Sequence, residues 1–259
     1  MKVAVSTWSL RDHVNKDFLL KDFPGFVKER YGVDAVELCQ MHFQAQDARY
    51  LDEIVDGLRK AGAIVINMPV DTGNISQPDE RKRNHDLEVM KGWMDVAAYI
   101  GCPSVRINTG SQDGSQGSGV VDLSITMNSY RRLVEYGEEI GVMVLLENHG
   151  GISADPDNIV RLFEGVGHKN FRACPDFGNF APEVRYRGLE AMARYAVMAH
   201  AKTYDFDEKG RVPQFDFARC ISILKGAGFD GYLSVEFEGK GDQLAGVRRT
   251  IELIKENWG

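Results

Sequence analysis

A glycine followed within a few residues by a short apolar run recurs along this chain. It appears as ERYGVDAVEL, KAGAIVINM, YIGCPSVRIN, EIGVMVLLE and GAGFDGYLSVE, with Gly32, Gly62, Gly101, Gly141 and Gly228 as the punctuation. Glycine after a helical stretch reads as the left-handed residue that closes a helix. Each run behind it is short, apolar and rich in Val and Ile, as expected of a strand buried on both faces. Amphipathic helices lie between the runs. Leu51, Ile54, Val55 and Leu58 have helical spacing, as do Leu244, Val247, Ile251 and Ile254. Three less clearly marked strands bring the total to eight. They are expected near 2–7, 34–39, 63–69, 103–108, 142–148, 171–176, 196–202 and 231–237, each followed by a helix. Alternating βα units imply a parallel sheet. Eight of them in 259 residues imply one α/β domain over 1–259, a single (β/α)8 TIM barrel. An open doubly wound sheet would want G-x-G-x-x-G in the first βα turn, where STWSLRDH stands.

The chain has 31 Lys plus Arg against 38 Asp plus Glu, a formal charge of −7, and no basic tract. That balance argues against tight binding to a nucleic-acid backbone. No apolar run approaches the roughly 18 residues of a membrane span, and MKVAVSTWSLRDH turns polar too soon for a signal peptide. A cytoplasmic protein with no membrane association is the expectation. Cys39, Cys102, Cys174 and Cys220 form no C-x-x-C pair and read as buried reduced thiols. The Gly/Ser-rich segment NTGSQDGSQGSG (108–119) lacks the Gly-Lys-Ser/Thr ending of a P-loop and reads as a mobile loop over a site.

In such a barrel the functional groups sit at the C-terminal ends of the strands. VMVLLENHGG places Glu147 at the end of strand 5, and FRACPDFGN places Asp176 at the end of strand 6. YAVMAHAKTYDF carries His200 and Lys202 on strand 7, and GYLSVEFEG carries Glu236 on strand 8. Taken singly, each has a plainer reading. Glu147 could be a loop carboxylate, Asp176 a turn or cap residue, His200 a core histidine, and Glu236 a salt-bridge partner of Lys202. Together, three carboxylates at one barrel mouth would repel one another, and each would be costly to bury unpaired. One divalent cation shared by Glu147, Asp176, His200 and Glu236 removes both problems. Three oxygen ligands and one nitrogen suit Mn²⁺, Co²⁺ or Mg²⁺, and Zn²⁺ is compatible. Asp205, Asp207 and Glu238 read as loop groups or as neighbours of the ligands.

The succession ENH, PDFGN, AHAK and SVEFEG resembles the xylose-isomerase-like TIM barrels. That superfamily holds sugar isomerases and epimerases, inosose dehydratases and the endonuclease IV group. The resemblance covers essentially the whole chain. It implies Glu147, Asp176, His200 and Glu236 as metal ligands, with Glu147 and Glu236 doubling as the acid/base pair. It also implies a carbohydrate substrate and a homodimer or homotetramer. Asn179 and Lys202 stand where the DNA-repair branch would want histidines, and the chain is acidic, so that branch is set aside.

Sugar isomerisation and epimerisation begin with loss of a proton beside a carbonyl. Carboxylates on opposite faces of the substrate can take and return it. His149, two residues after Glu147, is a candidate proton shuttle or substrate donor. Lys202 could contact substrate oxygens or form ion pairs. Arg106 and Asn108 alternate inward on strand 4; Arg106 could bind substrate or orient Glu147. Trp8 offers a face for a sugar ring, and His42 is a weaker candidate of the same kind. His13, His85 and His168 read as surface residues. The leading expectation is a metal-dependent isomerase or epimerase of a keto sugar or related polyol. The alternative is a lyase or dehydratase acting on a keto-cyclitol or 3-keto-glycoside, with His149 as general acid. A non-catalytic sugar-binding subunit is the third.

Overall fold

In a computed structural model that describes residues 1–112 and 122–259, all five punctuating glycines have positive φ, between 57° and 76°. The greater part of the 108–119 segment therefore lies outside the described residues. Eight strands follow in order: β1 (Lys2–Ser6), β2 (Ala35–Glu37), β3 (Ile64–Val70), β4 (Ser104–Ile107), β5 (Met143–Glu147), β6 (Phe171–Cys174), β7 (Met198–Thr203) and β8 (Tyr232–Phe237). Eight helices alternate with them: α1 (Phe23–Tyr31), α2 (Ala48–Ala61), α3 (Glu80–Tyr99), α4 (Ser124–Ile140), α5 (Pro156–Val166), α6 (Arg185–Ala193), α7 (Phe217–Gly226) and α8 (Gln243–Trp258). Each strand boundary lies within two residues of its expected place, the usual scatter of element ends.

The strands are all parallel, in the order β6-β5-β4-β3-β2-β1-β8-β7. The sheet ends meet through parallel bridges at Ala173–Ala196 and Asp176–His200. His200 N donates to Pro175 O at 3.0 Å and Phe177 N to His200 O at 3.2 Å across that seam. The barrel is therefore closed, as expected. Alternation along the strands sorts the apolar residues into two sets. Val5, Val36, Val65, Val105, Val144, Ala199 and Leu233 face the helices in the main core. Ala4, Ala35, Ile66, Leu145, Cys174 and Met198 form a smaller cluster inside the barrel.

Leu51, Ile54 and Leu58 of α2 are buried, with Asp47 accepting from Tyr50 N at the N-cap and Gly62 closing the other end. Val247, Ile251 and Ile254 of α8 are buried likewise, while Leu244 is half-buried. All four cysteines are free and buried. Among the described residues no helix is long and apolar enough to cross a membrane.

Candidate metal and active site

The four expected ligands converge. Glu147 is the last residue of β5, Asp176 lies just beyond β6, and His200 and Glu236 sit within β7 and β8. One ligand atom from each lies within 4.8 Å of all the others, and all four residues are buried. His200 Nδ1 points into the group, 2.7 Å from Glu147 Oε1, 3.7 Å from Glu236 Oε1 and 3.8 Å from Asp176 Oδ2. The PDFGN turn sets Asp176: its Oδ1 accepts from Gly178 N at 2.7 Å and Asn179 N at 2.8 Å. Its other oxygen is thereby left for the centre of the group. Asn148 ties the ends of β5 and β6 together, accepting from Asp176 N at 2.7 Å and donating to Asp176 O at 3.0 Å.

The group fits a cation on two counts. Glu147 Oε2, Asp176 Oδ2 and Glu236 Oε2 are buried without a hydrogen-bond partner. Buried carboxylate oxygens in that state are rare unless something else satisfies them. Each of these atoms does have an ion-pair neighbour lacking hydrogen-bond alignment: Arg106 Nε at 2.9 Å from Glu147 Oε2, Lys202 Nζ at 2.9 Å from Glu236 Oε2, and the same Nζ at 3.5 Å from Asp176 Oδ2. The second count is charge. Burial pushes Asp176 well above the usual carboxylate range, Lys202 offsets this only in part, and Glu236 and Glu147 add to it. Burial also opposes the charged forms of Glu147 and Glu236. Arg106 and His200 outweigh it for Glu147, and Lys202 and His200 for Glu236, so both lie below the usual range. Burial works against a charged His200, yet Cys174, Glu37, Glu236 and Glu147 outweigh it and raise its proton affinity well above the ordinary value.

These directions set a pH dependence for metal uptake. Both directions favour the protonated forms of Asp176 and His200 in the metal-free group, and a cation bound there would compete with those protons. Metal affinity therefore falls as pH drops through their raised range, by about tenfold per pH unit for each proton displaced. Calorimetric titration of the protein with Mn²⁺ in two buffers of different ionisation enthalpy should show net proton release. Equal heats in both buffers would contradict it.

A cavity of about 400 Å³ opens at this end of the barrel, lined by Trp8, Cys39, Met41, Asp71, Arg106, Asn108, His149, Glu236 and Glu238. That volume falls within the range of about 300–1,000 Å³ common for small-molecule sites. Of the expected substrate contacts, Trp8, Arg106 and Asn108 line it, as does the exposed His149. Trp8 stands in a 3-10 turn, Thr7–Leu10, and its Nε1 donates to Glu238 Oε1 at 2.7 Å. Arg106 is held by protein partners: Glu147 as an ion pair, and Asn108 Oδ1 at 2.8 Å and both oxygens of Asp71 through hydrogen bonds. Lys202 is buried below the cavity. Its Nζ reaches Glu236 at 2.9 Å, Glu238 at 3.3 Å, Asp176 at 3.5 Å and Asn179 Oδ1 at 2.8 Å. His42 is not among the lining residues; it is buried in the turn Gln40–His42 with Nδ1 unpartnered, and burial lowers its pKa to about 4.

Three further groups shape the site. Asp71 follows β3 and takes Arg106 and Asn108 Nδ2, the latter at 2.9 Å. Glu37 ends β2 and accepts from His200 Nε2 at 2.9 Å. Asn179 donates to Glu147 Oε1 at 3.3 Å while accepting from Lys202. A carboxylate closing or directly following a buried strand is the signal that marks Glu37 and Asp71. Asp205 instead accepts from Lys240 N and Gly241 N in a loop, and Asp207 folds its own turn with Arg211.

An acidic cluster with one imidazole at the C-terminal mouth of a (β/α)8 barrel defines a barrel with a candidate metal centre. The family model for the xylose isomerase-like TIM barrel matches residues 27–257, and the chain belongs to that family. A stretch of 57 residues is 40% identical to the C-glycoside deglycosidase alpha subunit of Arthrobacter globiformis; it spans 22% of this chain and only 16% of that subunit. Among solved structures, L-ribulose 3-epimerase superposes with a TM-score of 0.82 at 14% identity, over 100% of this chain and 95% of that one. The IOLI protein with a bound zinc atom superposes with a TM-score of 0.78 at 16% identity, over 100% and 98%. At these identities the two structures speak for the fold.

Proposed function

We propose that the chain is a metal-dependent carbohydrate enzyme that moves a proton on the carbon beside a carbonyl, as an epimerase or isomerase of a keto sugar or related polyol. The observation that carries this reading is the convergence of Glu147, Asp176, His200 and Glu236 within 4.8 Å of one another, with Glu236 opening onto the cavity. The donor set suits Mn²⁺, Co²⁺ or Mg²⁺, and also Zn²⁺, the metal in the similar IOLI structure. When bound, such an ion would polarise the carbonyl and its neighbouring hydroxyl and so acidify the C–H between them. The rest falls to the side chains. Glu236 and Glu147, three strands apart, exchange the proton from opposite sides of the substrate. Trp8 supplies a flat wall, its tilt held by Glu238. Asn108 and Asp71 offer polar contacts, and Arg106 holds Glu147 in place.

One observation favours elimination as a second reading. Both glutamates are paired with fixed cations and lie below the ordinary carboxylate range, so neither favours the protonated form that must return a proton to the opposite face in epimerisation, whereas elimination asks only that one of them take the α-proton. His149, exposed on the cavity wall, is the group placed to protonate a leaving oxygen. The short match to a C-glycoside deglycosidase subunit agrees with a 3-keto-glycoside lyase. A panel of keto sugars, inososes and 3-keto-glycosides followed by NMR in D2O separates the two. Epimerisation yields deuterated isomers, and elimination releases water or an aglycone. No α-proton exchange with any of them, in protein loaded with Mn²⁺, would sink both.

A further inference from the structure

Glu37 closes β2 with its side chain fully buried, and it is not one of the four converging residues. Its Oε1 accepts from His200 Nε2 at 2.9 Å and from Asn67 Nδ2 at 2.7 Å, and its Oε2 accepts from Ser234 Oγ at 2.7 Å. Asn67 is held in turn, its Oδ1 accepting from Ser104 Oγ at 2.9 Å. Strands β2, β3, β4, β7 and β8 thus share one buried polar layer behind the ligand group. Barrel interiors are ordinarily filled by branched apolar side chains. A carboxylate placed there is costly unless it is well partnered. An apolar residue at Glu37 would fill the barrel at lower cost, so packing alone does not account for it.

We propose that Glu37 is the positioning residue of the metal centre. A carboxylate can only accept, so the imidazole must present an N–H to it through Nε2. That contact fixes the ring plane and keeps the Nε2 proton in place, so that Nδ1, which faces Glu147, Asp176 and Glu236, is the nitrogen that gives up its proton and turns a lone pair to a cation. Asn67 and Ser234 in turn hold the carboxylate, so the orientation of His200 is set from β2, β3 and β8. The proposal rests on the reading of the four residues as metal ligands.

The test titrates Co²⁺ into wild type, Glu37→Gln and Glu37→Asp, following visible d–d absorption, with folding checked by circular dichroism. Glu37→Gln keeps the size but loses the charge and sets its amide against a donor. It should bind Co²⁺ about 10–100-fold more weakly, with an altered spectrum. Glu37→Asp should recover part of both. In Zn²⁺-loaded wild type with ¹⁵N-labelled histidine, the His200 signal should show Nε2 protonated and Nδ1 on the metal. Unchanged affinity and spectrum in a folded Glu37→Gln would overturn the proposal. Should that variant not fold, the wild-type NMR decides, and a bare Nε2 overturns it. Wild type that takes up no Co²⁺ defeats the ligand reading itself and this proposal with it; the other negative results leave the ligand reading standing.

Discussion

Replacing Glu147 by Gln is expected to cut α-proton exchange on the substrate by about 10²–10⁴-fold, even with metal in excess. On the proposed reading Glu147 carries two tasks at once. Its Oε1 meets His200 Nδ1 at 2.7 Å and Asn179 Nδ2 at 3.3 Å, and its Oε2 faces Arg106 Nε at 2.9 Å. The amide keeps the shape and some of the hydrogen bonding. It removes the negative charge that binds a cation, and also the only group on β5 whose lone pairs could take a proton at the centre. Arg106 keeps Asp71 and Asn108 as partners, so the fold should tolerate the change. Glu236→Gln should show a loss of the same order, since Glu236 reaches both the ligand group and the cavity. Exchange is read as loss of the α-proton signal in D2O. If either variant retains more than about a tenth of wild-type exchange, that residue is not an acid/base group.

Lys202→Met gives the largest expected change in stability, a loss of about 3–5 kcal/mol in metal-free protein. The Lys202 ammonium is buried at 2% exposure among Asp176, Glu236 and Glu238. Methionine matches the length of the side chain but leaves those carboxylates without their fixed cation. The asymmetry of buried ion pairs then applies: removing one partner costs far more than the pair itself contributes. A divalent ion bound by Asp176 and Glu236 would restore part of the loss, because a ligand that binds only the folded state stabilises it by mass action. Guanidinium unfolding of the variant with chelator and then with excess Mn²⁺ measures both parts. A change below about 1 kcal/mol with chelator present would show that Lys202 is not offsetting the repulsion among these carboxylates.

The barrel was legible because glycines after helices and Val/Ile runs are local signals. Gly32, Gly62, Gly101, Gly141 and Gly228 do adopt the left-handed conformation that the pattern demands. The convergence of the four residues was legible because four successive strands each carry a carboxylate or imidazole in or just beyond their C-terminal part. Its surroundings were much less so. Glu37 sits in VDAVEL, inside the run expected as a strand over 34–39, where a lone glutamate gives no local sign of what it faces. Its contact with His200 joins residues 163 positions apart, which no local pattern encodes. Arg106 could be read as inward-facing, but its choice of Asp71 and Glu147 over substrate depends on the register of β3, β4 and β5. Lys202 was open between substrate and ion pairing for the same reason. Its burial beneath Glu236 follows from the pairing of Lys202 with Glu236 across β7 and β8.

Metal content by elemental analysis of purified wild type beside His200→Ala tests the centre most directly. His200 supplies the single nitrogen, and without it three carboxylates remain that repel one another. One divalent ion per wild-type chain and none in His200→Ala is the expected result. Equal metal in both proteins, or none in wild type after incubation with Mn²⁺, Co²⁺ and Zn²⁺, would contradict it.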